Sequence, residues 1–449
     1  MTVKVTQTLL ILLGTFCLLG SIGNQHGLLL VAGQEADCDI SPNAMINAFG
    51  KDIPQTCVNV PHDFGIWSSK KTIKRCFYTY LPEKCNNATD AANDLPLVFD
   101  IHGIKSCPLY SALYTGWMEK AEEECFVVVW PIGNTDDNLL EKPCWNVPGY
   151  LKDNDYGAIE GTSGVVTTSP CCCFDETEEA VKNDDPLFLR IAIDAVIKSF
   201  DENDNSNVSI DRSRVYMAGH SNGCIASIAM AALHSDVVAA VCCHAGTVIT
   251  PFPSDYSPVP IWMAFGMKDE DVPAEGSIYA DLGLLGLYGL WSVHDTMNYI
   301  ASRNNCEEEL DETLNLGENV TSYKHTKCTN NADVEMVALL ESAHFPYGPV
   351  PNSEFFNVSE TTVDTTTLAW NFCSSYSNPR AQESIAASQD QVSIAEVDEE
   401  QDPESDKERV TDPSASSASR SRLMHESGSI QGTIAVGIGI GIVLTSSFV

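Results

Sequence analysis

Apolar stretches rich in β-branched and aromatic residues recur along the chain at 76–81, 95–101, 126–130, 215–219, 239–243, 261–265 and 334–340, each bounded by turn residues. Several are continuous rather than alternating, the pattern of strands buried on both faces of a parallel sheet. Helical spacings lie between them: Leu189, Ile193, Val196 and Phe200 recur four, three and four residues apart, and 287–300 reads similarly. This alternation predicts an α/β fold with a mostly parallel sheet and helices on both faces.

Both ends depart from that pattern. Lys4 precedes an apolar run at 9–19 and the small residues Gly20, Ser21 and Gly23, the order of a secretory signal peptide, placed here at 1–34. The globular domain is expected over 35–378. Beyond it, 379–427 is Ser-, Asp- and Glu-rich with almost no aromatics and reads as a disordered acidic linker, because such a segment buries too little apolar area to offset its ordering entropy. The segment 428–449 is small and apolar, with no basic cluster behind it. Attachment of a glycolipid anchor near 414–421 fits this better than a spanning helix with a cytoplasmic basic flank.

Composition narrows the setting. The sequence has 17 cysteines, and loss of Cys17 with the leader leaves an even sixteen, suited to disulfides in an oxidising compartment. Sequons at Asn87, Asn207, Asn319 and Asn357 agree with passage through a glycosylating pathway, so the location expected is extracellular or the outer face of the plasma membrane. A formal charge of −37 excludes a nucleic-acid partner, since phosphate binding requires a basic surface. Oligomeric state leaves no signal in the sequence.

Candidate chemistry centres on Gly219-His220-Ser221-Asn222-Gly223, which ends an apolar run and opens a small-residue helix. That is the arrangement of a nucleophile elbow, with Ser221 as nucleophile. A serine hydroxyl needs an imidazole base oriented by a carboxylate, in the order Ser, acid, His for a hydrolase of this type. After the run 261–265 comes Gly266-Met-Lys-Asp269-Glu-Asp271-Val-Pro, where Asp269 is the preferred acid and Asp271 the reserve. The last run is followed by His344, preferred as base over His220, His234, His244, His294 and His325 on order and strand-end placement. The oxyanion needs two donors, assigned to the amides of Asn222 and of Ile104, which follows His102-Gly103 at the end of an early strand. This chemistry calls for no metal and no organic cofactor.

Taken together, Asp211-Arg-Ser-Arg-Val-Tyr216 through Gly223, His102-Gly103, Gly266-x-x-Asp269-x-x-Val-Pro273 and the late His344 resemble the secreted α/β-hydrolase esterases grouped with poly(3-hydroxybutyrate) depolymerases and feruloyl esterases. Cys144-Trp145-Asn146, Asp185-Pro-Leu-Phe-Leu-Arg190 and Asp364-Thr-Thr-Thr-Leu-Ala-Trp370 add to the resemblance, which spans residues 57–373. The resemblance implies an α/β-hydrolase fold, a Ser221–Asp269–His344 triad, a disulfide between Cys306 and Cys328, and an ester substrate, polymeric or carried on a polysaccharide. The chain departs from the family pattern at Phe265, where a histidine is common, and at Ile104, where a cysteine is common. The competing reading is a non-catalytic surface glycoprotein that uses the fold for polymer binding or adhesion.

Three further features draw weaker expectations. The stretch 201–209 places oxygen ligands at alternate positions, but Ser206 replaces the glycine and Arg212 the bidentate glutamate of a calcium loop, so a solvated loop is expected. Cys171-Cys172-Cys173 and Cys242-Cys243 are read as disulfide partners rather than metal thiolates. Trp117 and Trp145 are candidates both for flanking the cleft and for core packing.

Overall fold

In the computed structural model the seven apolar runs become strands of one ten-stranded sheet. The structure describes residues 39–62, 71–86, 93–133, 143–147, 184–203, 208–280, 287–307, 310, 312–348, 361 and 363–381. The expected signal peptide, the expected acidic linker from residue 382 onward, the apolar tail, Cys171 to Cys173 and the sequons at Asn87, Asn207 and Asn357 lie outside them; residues 379–381 are described, with Ala381 buried. The chain divides into two units, Met1–Val397 and Asp398–Val449, and every described residue belongs to the first. Among the described residues no helix is long and apolar enough to cross a membrane.

The elements follow in the order α1 (Ala44–Phe49), β1 (Gln55–His62), β2 (Lys71–Tyr80), α2 (Glu83–Asn86), β3 (Asn93–Ile101), α3 (Pro108–Tyr114), α4 (Trp117–Glu124), β4 (Val127–Pro131), α5 (Asp185–Asp201) and β5 (Val208–His220). They continue with α6 (Asn222–Leu233), β6 (Ala240–His244), β7 (Ile261–Gly266), β8 (Ser277–Ala280), β9 (Leu287–Leu290), α7 (Val293–Arg303), β10 (Glu312–Gly317), β11 (Val320–His325), β12 (Val334–Leu339) and α8 (Thr365–Cys373). Strand order across the sheet is β1-β2-β4-β3-β5-β6-β7-β12-β11-β10. The block from β4 to β12 is parallel, and the strands at either edge are antiparallel. A separate hairpin pairs β8 with β9.

Period-two alternation sorts the central strands onto two cores. Val215 and Met217 of β5, Leu97 and Phe99 of β3 and Ile261 and Met263 of β7 face α5, α6 and α7; Tyr216, Ala218, Val98 and Trp262 face α3, α4 and α8. Helices α5 and α6 bury Phe188, Leu189, Ile193, Ile225 and Ile228 on the first face, each contributing about 1.5–3 kcal/mol. This is the α/β-hydrolase architecture, with a mostly parallel sheet and helices on both faces. One expectation fails: residues 287–290 form β9 rather than the start of a helix. The helix begins at Val293, after Ser292, whose hydroxyl accepts from Asp295 N at 3.0 Å as an N-cap, and Gly289 within the strand weakens the helical alternative.

Disulfides join Cys57 to Cys76, Cys85 to Cys125, Cys224 to Cys243, Cys242 to Cys373 and Cys306 to Cys328; Cys107 and Cys144 are also disulfide-bonded. Such bonding is consistent with an extracellular protein.

Candidate active site

Strand β5 ends at His220, and the chain reverses into α6 through Ser221, whose backbone sits at φ 55°, ψ −121°. A non-glycine residue in that region carries strain on the order of 1–3 kcal/mol and persists only where its surroundings dictate the conformation. Here Ser221 N–H donates to His244 O at 2.9 Å while its own carbonyl accepts from Ile225 N at 3.1 Å. The two glycines of the elbow are steric necessities. A Cβ on Gly223 would lie 1.9 Å from Ile101 O, and one on Gly219 2.6 Å from the backbone of Gly223. The Ser221 side chain makes no capping bond to α6, so its hydroxyl is not spent on the helix.

The candidate acid and base come from the neighbouring strand ends. Strands β7 and β12 pair in parallel, and the turns that follow them touch: a Cβ on Gly266 would lie 2.0 Å from Ala343 O, and Lys268 N donates to Ser342 O at 2.9 Å. This close backbone approach brings His344 Nδ1 to 2.7 Å from Asp269 Oδ2. The other oxygen of Asp269 accepts from the amides of Asp271 and Val272, each at 2.8 Å. The carboxylate is thereby held rigidly and buried, whereas the His344 side chain is 15% exposed. With Nδ1–H donated to Asp269, Nε2 is the nitrogen left for a reacting hydroxyl. The His344 ring centroid lies 4.7 Å from that of His220, the residue before Ser221.

Asp271, the reserve acid, is exposed and contributes its amide to Asp269. Among the described residues no other histidine hydrogen-bonds a carboxylate; His244 faces Thr365 Oγ1 at 3.1 Å, and His294 packs edge-on against Tyr323. Asp269, Asp271 and His344 offer ligand atoms within 4.8 Å of one another. Two of the three, Asp269 and His344, are already joined by a hydrogen bond.

The two expected oxyanion donors flank the elbow. Among the described residues neither the Ile104 amide nor that of Asn222, at the first position of α6, has a protein acceptor. Amides at a helix N-terminus are unpaired by construction and favour negative charge. A network unread in the sequence fixes this pair. Asn222 Oδ1 accepts from Trp145 N at 2.7 Å, and Trp145 Nε1 donates to His102 O at 2.8 Å. His102 Nε2 accepts from Gly133 N at 3.0 Å, so its Nδ1–H donates to Gly103 O at 2.8 Å. Burial pushes the His102 imidazole down to about 4, which keeps it in this neutral tautomer. Beyond Trp145, Asn146 N donates to Asp185 Oδ2 at 2.5 Å, and Arg75 bonds the other oxygen of Asp185 at 2.6 Å. Trp145 and Trp117 are buried, at 0% and 1% exposure, and so belong to the core rather than the cleft wall.

Behind the elbow an aromatic group unites several elements. His220 stacks on Phe345 at 4.6 Å and 13°, with Tyr114 of α3 edge-on at 5.5 Å and Tyr347 at 5.6 Å. Sequence spacing holds no signal for this group, because Tyr114 and His220 are distant along the chain from each other and from Phe345 and Tyr347. Of the remaining expected features, Asn319 is exposed in the turn between β10 and β11, Cys306 pairs with Cys328, and Arg212 forms an ion pair with Asp201 at 2.5 Å, at the two ends of the calcium-like stretch.

No family model matches the sequence. No curated protein matches it either. Solved structures similar to it include an acetyl xylan esterase from Aspergillus awamori, 14% identical, covering 68% of this chain and 98% of that one at a TM-score of 0.38. A CE1 ferulic acid esterase from Anaeromyces mucronatus in complex with ferulic acid is 14% identical over 66% of this chain and 86% of that one, TM-score 0.31. A dienelactone hydrolase-like promiscuous phosphotriesterase from metagenomic libraries is 10% identical over 72% and 99%, TM-score 0.37. At these identities the functional reading of Ser221, Asp269 and His344 rests on the chain's own residues.

Proposed function

We propose that this protein is a secreted or cell-surface serine esterase that hydrolyses carboxylic esters through an acyl-enzyme. The observation that carries the reading is the 2.7 Å bond from His344 Nδ1 to a fully held Asp269, beside a serine strained into an elbow. Ser221 Oγ attacks the acyl carbonyl while His344 Nε2 takes its proton. Asp269 orients the ring and stabilises the imidazolium. The amides of Asn222 and Ile104 receive the charge that develops on the carbonyl oxygen. His344 returns the proton to the departing alkoxide, and water, deprotonated by the same base, releases the acid and frees Ser221.

The net charge of −37 favours neutral esters. Polyhydroxybutyrate-like, feruloyl and acetyl esters are the classes that the sequence resemblance supplies. A fluorophosphonate probe and a panel of p-nitrophenyl, feruloyl, acetylated-glycan and hydroxybutyrate esters test the reading. Wild type is expected to label and to turn over at least one ester, and Ser221→Ala to do neither. A wild type silent on both counts would leave a hydrolase-fold binding protein in place of an enzyme. Residues 428–449 are proposed to direct a lipid anchor; release of the protein from intact cells by a phosphatidylinositol-specific phospholipase checks this, and retention counts against it.

A further inference from the structure

We propose that His220 is a positioning residue for the base: its ring and that of Phe345 form a stacked bracket that holds the His344 imidazole in line with Ser221 and steadies its protonated form. The inference rests on the esterase reading of Ser221, Asp269 and His344. His220 and Phe345 lie 13° from parallel, and His344 meets both, at 4.7 Å and 64° from His220 and at 5.5 Å and 77° from Phe345. Edge-to-face geometry of this kind is attractive between rings, and a cation gains more from a neighbouring π system than a neutral ring does.

His220 is itself immobilised. Tyr114 packs edge-on against both His220 and Phe345, at 5.5 and 5.3 Å, and Tyr347 closes the group at 5.6 Å from His220. On the side of the oxyanion loop, a Cβ added to Gly103 would stand 3.4 Å from His220 Cδ2. One buried ring therefore abuts the base and the oxyanion loop and is joined by a peptide bond to the nucleophile. Among the described residues both of its nitrogens lack a hydrogen-bond partner, and burial holds it far below its ordinary range, hence neutral. What His220 offers His344 is an aromatic ring in a fixed place, and neither a proton nor a hydrogen bond. A charged group at that spot would oppose formation of the His344 imidazolium, and an aliphatic one would fill the space without the attraction.

The discriminating comparison is His220→Phe against His220→Leu in the full chain, since both fill the site and Phe alone keeps the ring. Rates of fluorophosphonate labelling, kcat and KM for p-nitrophenyl acetate, and thermal unfolding are measured for wild type and both variants. H220F is expected within about threefold of wild type, and H220L roughly 3- to 30-fold lower in kcat and labelling rate with KM within about twofold. The melting temperatures of the two variants should agree, which separates the effect from general destabilisation. Equal kinetics for H220L and H220F, whether both are active or both impaired, would overturn the bracket. A wild type that neither labels nor turns over any ester refutes the esterase reading and the bracket with it, whereas an active wild type with an equally active H220L refutes the bracket alone.

Discussion

Asp269 and Asp271 stand two residues apart in one acidic turn, and chemistry by residue type does not separate them. Geometry does: Asp269 is buried and bonded to His344 and to two amides, while Asp271 is exposed. An amide in place of the Asp269 carboxylate would still fill the site but could present its NH2 to the ring and favour the wrong imidazole tautomer. Asp269→Asn is therefore expected to lower kcat on the order of 10³- to 10⁴-fold with the fold intact. Asp271→Asn should stay within about threefold, because it keeps the backbone amide that bonds Asp269 and leaves the His344–Asp269 hydrogen bond in place. Steady-state kinetics on both variants, with circular dichroism as the check on folding, decides which carboxylate orients the base; equal losses would end the distinction drawn here. The order Ser, acid, His and the strand-end positions were legible in the sequence. The choice between the two acids was legible only as a preference, because it depends on which side chain the turn directs inward.

At the scale of elements, β6 ties the site together. Cys242 and Cys243 are adjacent on this strand and so point to opposite faces; Cys243 is bonded to Cys224 of α6 and Cys242 to Cys373 of α8. The first bond braces the helix that begins after Ser221, the proposed nucleophile. The second holds α8, whose Thr365 hydroxyl donates to Pro346 O in the base loop at 2.9 Å. The chain enclosed by Cys242–Cys373 spans 131 residues against 22 for Cys306–Cys328, and closing a longer loop restricts the unfolded chain more. Replacing both cysteines of the 242–373 pair by serine should cost roughly 4–5 kcal/mol, and the 306–328 pair about 3 kcal/mol, read from urea midpoints. Only the first should also reduce kcat. Similar midpoints with unaffected kcat would show that α8 needs no staple. The doublet was visible in the sequence as disulfide material, but its two partners lie on opposite helical layers and follow from the sheet alone.

The whole molecule carries two further expectations. Burial holds His102 near 4 and His244 near 3, and depresses His220 as well, against an ordinary value of 6.5. The unfolded chain protonates these imidazoles at a pH where the folded one refuses the proton, so stability falls as pH drops from about 6.5 towards 4. For His102 alone the loss approaches roughly 3 kcal/mol at the lower end. Asp100, pushed up to about 6 by burial, works in the opposite direction, as do Asp185 and Glu119, whose carboxyls burial also raises, but His102, His220, His234 and His244 are all depressed and set the net sign. The melting temperature should therefore decrease from pH 6.5 to 4, and His244→Gln should flatten that decrease; a flat profile in wild type would contradict the neutral core histidines. Separately, the charge of −37 repels anions at low ionic strength. For an ester bearing a free carboxylate, kcat/KM should rise several-fold between about 10 and 200 mM salt, while a neutral ester should change little. Identical salt responses for the two esters would show that the field does not reach the cleft.

The sequence by itself determined the fold class and the identity of the candidate groups, because both depend on local order. Buried parallel strands announce themselves as apolar runs, and a glycine-flanked serine between strand and helix needs no distant partner to be noticed. The antiparallel strands β1, β10 and β11 towards the two ends of the sheet escaped, since a strand such as Val320–His325, with alternating burial, lacks a continuous apolar run. Tertiary structure alone decided which acid meets His344, how Trp145 and Asn222 bond to one another, and that His220 lies against His344. Each of those contacts joins residues tens of positions apart or more, or depends on side-chain direction at a turn. Parallel pairing of β7 with β12 brings two such turns into contact, and no spacing along the chain encodes that distance.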